Sequence, residues 1–295
     1  MAKPATIEGI DADSPLEDAA KKTLTARLGE LRQYEERLTS DAEPDDVHDM
    51  RVASRRMRAA LQLFDRKKQL AAAHKAVKRL GDALGGLREL QVQLAWLDKA
   101  ARAGREADHS GIVALKQTRE KKLPWRIEAV HEAVAAWRDE ADAVAQAIDG
   151  LVQHGRLGGR CLRARLDERL QAVRKLAKKT HESPDAATAH RLRIAVKKLR
   201  YVAELAAPAF PEPLAALLDK LSALQETLGA LHDTDVHLPL VEKFVVRADG
   251  VGQPGALALL RAEMARREQL AAQLGEALGQ LRESQVLEDL RDRIC

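Results

Sequence analysis

The chain has 295 residues, 45% hydrophobic and 32% charged, with only three Trp, two Tyr and three Phe. That length holds one large domain or two of ordinary size, and the Ala/Leu/Arg/Glu-rich profile is that of a helical protein. Short, charge-broken apolar runs and a polar start exclude a bilayer-spanning helix and a signal segment, and two cysteines, Cys161 and Cys295, exclude a disulfide framework or a cysteine metal site. A soluble, intracellular protein of the cytoplasm is expected.

The formal net charge of +4 hides segregation of 49 cations and 45 anions. Residues 160–179 hold eight cations against two acids, and residues 190–200 hold five cations and no acid, whereas 276–292 are mainly acidic. Charge arranged in this way selects partners more strongly than the total does.

A polar tail, 1–14, comes first. Apolar residues then recur every three or four positions, predicting helices over 15–39, 44–66, 68–84, 88–103 and 110–148. Pro44 opens the second of these, Gly85-Gly86 separates the third from the fourth, Gly104 ends the fourth, and Pro124 kinks the fifth. After Gly155 and Gly158-Gly159 the pattern resumes over 160–181, 184–207, 212–229, 233–247 and 255–292. The breakers here are Pro184, then Pro208, Pro211 and Pro213, then the cluster from Gly250 to Gly255. Strand-like alternation is nearly absent, so the fold class is all-α.

The two series match in order. "VHDMRVASRRMRAALQLF" starts at Val47, and "AHRLRIAVKKLRYVAELA" starts at Ala189. Each follows a proline: Ser183-Pro184-Asp185 reads as N-cap, N1 proline and first-turn acid, and Glu43-Pro44-Asp45 is a poorer version. Each is followed by a helix ending in Leu-Gly, at Leu84-Gly85 and Leu228-Gly229. This predicts an internal duplication, one helical-bundle repeat over 15–150 and a second over 151–295.

At 100° per residue, Met50, Ala53, Met57, Leu61 and Phe64 form one stripe, and His48, Arg51, Arg55 and Arg58 lie opposite. The second copy places Leu192, Ala195, Leu199 and Ala203 inward and His190, Arg193, Lys197 and Arg200 outward, while Arg56 and Lys198 fall on a flank. Like charges three or four apart destabilise a helix by a few tenths of a kcal/mol per pair. Two rows without interspersed acids therefore point to an anion that completes them. Arg offers forked donors for phosphate oxygens and Lys a compact charge. Further cations, Lys21, Arg27, Lys75, Lys78, Arg79, Arg165 and Arg169, are secondary candidates to frame such a site.

Three other readings compete. The rows pair with neighbouring acids such as Asp233 and Asp235, in a structural network or one that orients arginines toward a ligand. A metal-dependent phosphohydrolase would use His48-Asp49 and His232-Asp233, but those pairs do not match between copies and cations surround them, so no metal, cofactor or catalytic residue is assigned. A nucleic-acid binder would use the same cations, yet base recognition needs aromatics and amides near them, and the chain has no Asn. No specific nucleic acid is expected; protein partners, including an acidic tail docked in a basic groove, stay open.

"HDMRVASRRMRAALQLF" and "HRLRIAVKKLRYVAEL" resemble the signature of the CHAD (conserved histidine α-helical domain) family, and "LGALHDTDV" is similar to its second motif. The resemblance covers 15–292 and implies two pseudo-symmetric four-helix bundles with a basic central groove or pore. It also implies binding of inorganic polyphosphate, in some members at polyphosphate granules. The residues it carries over are His48, Arg51, Arg55, Arg56, Arg58, His190, Arg193, Lys197, Lys198 and Arg200. The first half departs from the second motif, with Gln91 in place of the second acid. The triphosphate tunnel domain fused to some members has no counterpart here, and a non-catalytic polyphosphate binder is the expectation.

Overall fold

A computed structural model describes residues 7–40, 42–65, 68–104, 108–183, 185–247 and 252–283. The described elements are α1 (Leu16–Arg32), α2 (Arg37–Ser40), α3 (Pro44–Phe64), α4 (Ala71–Ala103), α5 (His109–Glu120), α6 (Leu123–Asp149), α7 (Arg160–Glu182), α8 (Ala186–Ala206), α9 (Pro211–Arg247) and α10 (Gln253–Glu283). Among the described residues there is no β-strand, only one isolated bridge between Pro15 and Arg156. The fold is all-α, as the periodicity predicts.

Helix α3 packs against α1 and α4, α4 against α6, and α6 returns to α1. In the second half α8 packs against α7 and α9, α9 against α10, and α10 returns to α7. The two groups of four helices meet where α3 lies against α8, and again where α5 bridges α4 and α10.

The motif helices form for local reasons and are held by their apolar stripes. Pro44 occupies the first turn of α3, where no N–H bond is lost, and Asp45 and Asp46 oppose the helix dipole there. Asp185 caps α8, accepting from the Thr188 N–H at 2.8 Å and the Thr188 hydroxyl at 2.6 Å. It is therefore the cap itself and not a first-turn acid; Pro184 lies outside the described residues. Met50, Ala53, Met57, Leu61 and Phe64 are buried, and so are Leu192, Ala195, Leu199 and Ala203. Each large apolar side chain among them contributes about 1.5–3 kcal/mol.

Four boundaries differ from the sequence reading. α4 runs unbroken through Gly85-Gly86, and α9 through Leu228-Gly229. A mid-helix glycine costs about 1 kcal/mol, and the buried leucines around these sites (Leu80, Leu84, Leu87 and Leu90; Leu221, Leu224, Leu228 and Leu231) outweigh it. The predicted 110–148 helix is two helices, because α5 stops at Glu120 and Pro124 stands in the first turn of α6, where proline starts a helix and does not kink one. α1 stops at Arg32, with the short α2 following separately.

The segment read as a tail is anchored at its end. The Leu157 and Gly158 N–H groups donate to the carbonyls of Ser14 and Ala12 at 2.9 and 2.8 Å. The last part of the predicted 255–292 helix lies outside the described residues. No helix among the described residues is long and apolar enough to cross a membrane.

Candidate functional site

Where α3 meets α8, the outward faces of the two motif helices come together. Arg51 is partly buried, and burial first, then the nearby Arg55, Arg193 and Arg88, pushes its guanidinium down to about 10. Lys197 on α8 is pushed down to about 7 by burial and then by Arg193, Arg55 and Arg51. Burial also lowers Arg193, an effect opposed by Asp233 and reinforced by Arg55. These four cations, two from each helix, thus act within one electrostatic cluster. The Nε atoms of Arg55 and Arg193 are buried with no hydrogen-bond partner among the described residues.

A cleft of about 310 Å³ opens beside this cluster, between α3, α7 and α8. Its walls carry Arg55 and Arg58 from α3, Arg165 and Arg169 from α7, and Arg193, Lys197 and Lys198 from α8, together with Gln62, Tyr201 and the apolar Ala59, Leu63, Ile194 and Val202. The only carboxylate paired to these wall cations among the described residues is Glu168, 2.6 Å from Arg165 and 3.6 Å from Arg169. Guanidinium and ammonium donors converging on a partly dehydrated cleft suit an anion with several oxygens.

Other predicted cations are not brought to the cleft. Arg200 turns to Glu204 at 3.0 Å and also donates to Gln225, and Arg56, 5% exposed, lies 3.6 Å from the same carboxylate. Both lie against Glu204, which stands one turn beyond Arg200 on α8 and meets Arg56 of α3 across the helix contact. Arg27 is buried on Glu30 nearby. Lys21 pairs with Glu17, Lys78 with Asp82 and Arg79 with Glu140, and Lys75 is exposed on α4. Lys21, Lys75, Lys78 and Arg79 do not line the cleft.

The histidines stand at one end of the cationic rows. Burial, then Arg88, keeps His48 below its usual value. His190 faces His232 of α9, Nδ1 to Nδ1 at 3.3 Å, and burial, then Arg193, His190 and Lys197, drives His232 down to about 4. Sequence matching separates these two histidines; helix packing joins them. Of the two acids proposed as partners, Asp235 pairs with Arg267 at 2.6 Å, while Asp233, raised by burial, lies in the field of Arg193 and Lys197. Gln91 donates to the Ala42 carbonyl at 3.2 Å. No group of three or more His, Cys, Asp or Glu among the described residues is arranged to hold a metal ion.

Sequence reasoning missed Arg88 and Arg126. A Cβ on Gly85 would stand 3.7 Å from Arg51 Nε, and one on Gly86 would collide with the Arg126 guanidinium, which also stacks on Trp125 at 4.1 Å. The available signal was the Gly-Gly pair itself: bare backbone in a long helix admits large side chains from its neighbours.

The fold and the motifs agree with known proteins. The CHAD domain profile matches residues 22–242. The crystal structure of the CHAD domain from the plant Ricinus communis aligns with a TM-score of 0.73 at 24% identity, covering 95% of this chain and 96% of that one. PptA from Streptomyces chartreusis aligns with a TM-score of 0.62 at 15% identity, over 90% of this chain and 99% of that one. No curated protein matches the sequence. With the family profile spanning most of its length, the chain belongs to the CHAD domain family.

Proposed function

We propose that the chain binds inorganic polyphosphate in the cleft between α3, α7 and α8, and does so without chemistry. One observation carries the reading: Arg51, Arg55, Arg193 and Lys197, from two different helices, act on one another without a paired carboxylate among the described residues, and burial together with the three arginines holds Lys197 down to about 7. Mutual repulsion of this kind is relieved by a polyanion that touches several cations at once. Membership of a family with polyphosphate-binding members supports the same ligand. His48, His190, Arg58 and Lys198 extend the donor set at the ends and rim, while Arg56 and Arg200 serve by fixing α3 against α8 through Glu204. The protein would act in the cytoplasm, where polyphosphate granules offer the ligand in bulk.

Affinity comes mainly from release of counterions condensed on the phosphate chain, so it falls steeply with salt. Titration at fixed ionic strength with long-chain polyphosphate and with a mixed-sequence oligonucleotide tests the reading: the phosphate polymer binds more tightly. Equal binding would replace it with a nucleic-acid reading. Phosphate release measured with and without divalent metal tests the absence of turnover; sustained release would assign the chain to the phosphohydrolases.

A further inference from the structure

The double glycine of α4 leaves a low pass in the helix surface, and two arginines from different helices approach it. Arg51 of α3 reaches Gly85, and the Arg126 guanidinium of α6 lies over Gly86. Their positions beside adjacent residues put the two side chains within about 13 Å of each other. Arg126 forms no ion pair with its guanidinium among the described residues; it rests on the ring of Trp125, which is 51% exposed. Its charge is felt by Arg119, which donates to Gln93 further along α4. The corresponding stretch of the second half is Gly229-Ala230, and nothing lies within 4 Å of a Cβ built on Gly229.

From this arrangement we infer that Arg126, seated over Gly86 and backed by Trp125, is a second phosphate subsite that receives the part of a long polyphosphate chain leaving the cleft past Arg51. The inference rests on the polyphosphate reading of the cleft. A guanidinium resting on an indole, with no ion pair among the described residues, keeps donors available for phosphate oxygens, and the contact with the ring reduces the rotamer freedom lost on binding. With an arginine over Gly86 and none within 4 Å of a Cβ on Gly229, the chain has a direction: it exits over the first half. Short chains end within the cleft and do not reach Arg126, so the subsite sets a preference for length.

The test compares tripolyphosphate with long-chain polyphosphate on the whole protein, using Arg126→Ala and Gly86→Ala. The second substitution keeps the arginine but displaces the far end of its side chain from the pass. Both variants are expected to weaken long-chain binding by about three- to tenfold and to lower its salt slope by about one, with tripolyphosphate unaffected. Long-chain polyphosphate is also expected to change the fluorescence of the wild type and not of Trp125→Phe. Unchanged long-chain affinity in both variants, or equal losses for both ligands, overturns the subsite while leaving the cleft reading intact. An oligonucleotide that depends on Arg126 and Trp125 more than long-chain polyphosphate does would make the pair a base-stacking platform and overturn it too. A wild type that binds neither phosphate ligand overturns the cleft reading and this inference with it.

Discussion

The α3 and α8 copies of the motif share their spacing but not their surroundings. On α3, Arg58 reaches the cleft and the position after it by one turn is Gln62, exposed and on the cleft wall. On α8, the matching pair is Arg200 and Glu204, locked together at 3.0 Å and joined by Arg56 from α3. Among charged groups Arg88 acts most strongly on His48, whereas His190 faces His232, which burial and nearby cations hold down to about 4. One copy therefore presents a longer open row, and the other carries the carboxylate that fixes the two rows against each other. A repeated sequence supplies two cationic faces; what each face does is decided by the helix beside it.

The largest effect expected is on ligand binding when both rows are removed. Changing Arg51, Arg55, Arg193 and Lys197 together to Ala should abolish polyphosphate binding while circular dichroism shows helicity nearly unchanged. Removing either pair alone should leave measurable binding, with the remaining row as a weaker site. Normal binding by the quadruple variant would mean that the cleft is not the site.

Next comes stability, and here the copies should separate. Glu204→Gln removes the carboxylate that Arg56 and Arg200 share at the helix contact and should cost about 3 kcal/mol in urea unfolding. Gln62→Ala, at the matching exposed position, should stay within about 0.5 kcal/mol. Equal effects would show that Glu204 is not the clamp between α3 and α8.

A smaller effect is a pH dependence that runs in opposite directions for folding and binding. Lys197 is held at about 7 in the folded chain, against about 10.4 unfolded. Between those values the unfolded chain binds the extra proton, so the stability of the free protein rises with pH across that window and is lowest below about 7. A polyanion restores the charged form, so binding takes up a proton and weakens as pH rises through 7. Thermal unfolding and polyphosphate titration at a series of pH values check the two slopes. Lys197→Met should flatten both.

Much of this was legible in the sequence. Apolar spacing fixed the identity of the motif helices and of their buried stripes, down to Met50, Met57, Leu192 and Leu199, because a helix face is a local property. Arg51, Arg55, Arg193 and Lys197 could be picked as cations lacking interspersed acids for the same reason. The meeting of their faces depends on the α3–α8 contact, which no local pattern encodes. The Arg56–Glu204 pair and the His190–His232 contact were hidden because each joins side chains from different helices. Gly85-Gly86 was misread as a break because glycine's low helix propensity is visible locally, while the leucines that outweigh it act through tertiary packing.

The smallest effect sharpens the contrast between the histidines. Arg88→Ala removes the leading charge that holds His48 low, and its NMR titration should move upward. His232, whose value is set by burial and by charges other than Arg88, should titrate as before. A shift in both would mean that the two ends of the rows are electrically continuous.

A crystal structure with bound polyphosphate would test the central claim most directly. One continuous phosphate chain should contact Arg55 of α3 and Arg193 of α8 at the same time, within hydrogen-bonding distance of both. A chain lying on only one of these helices, or on a surface away from the cleft, would contradict it.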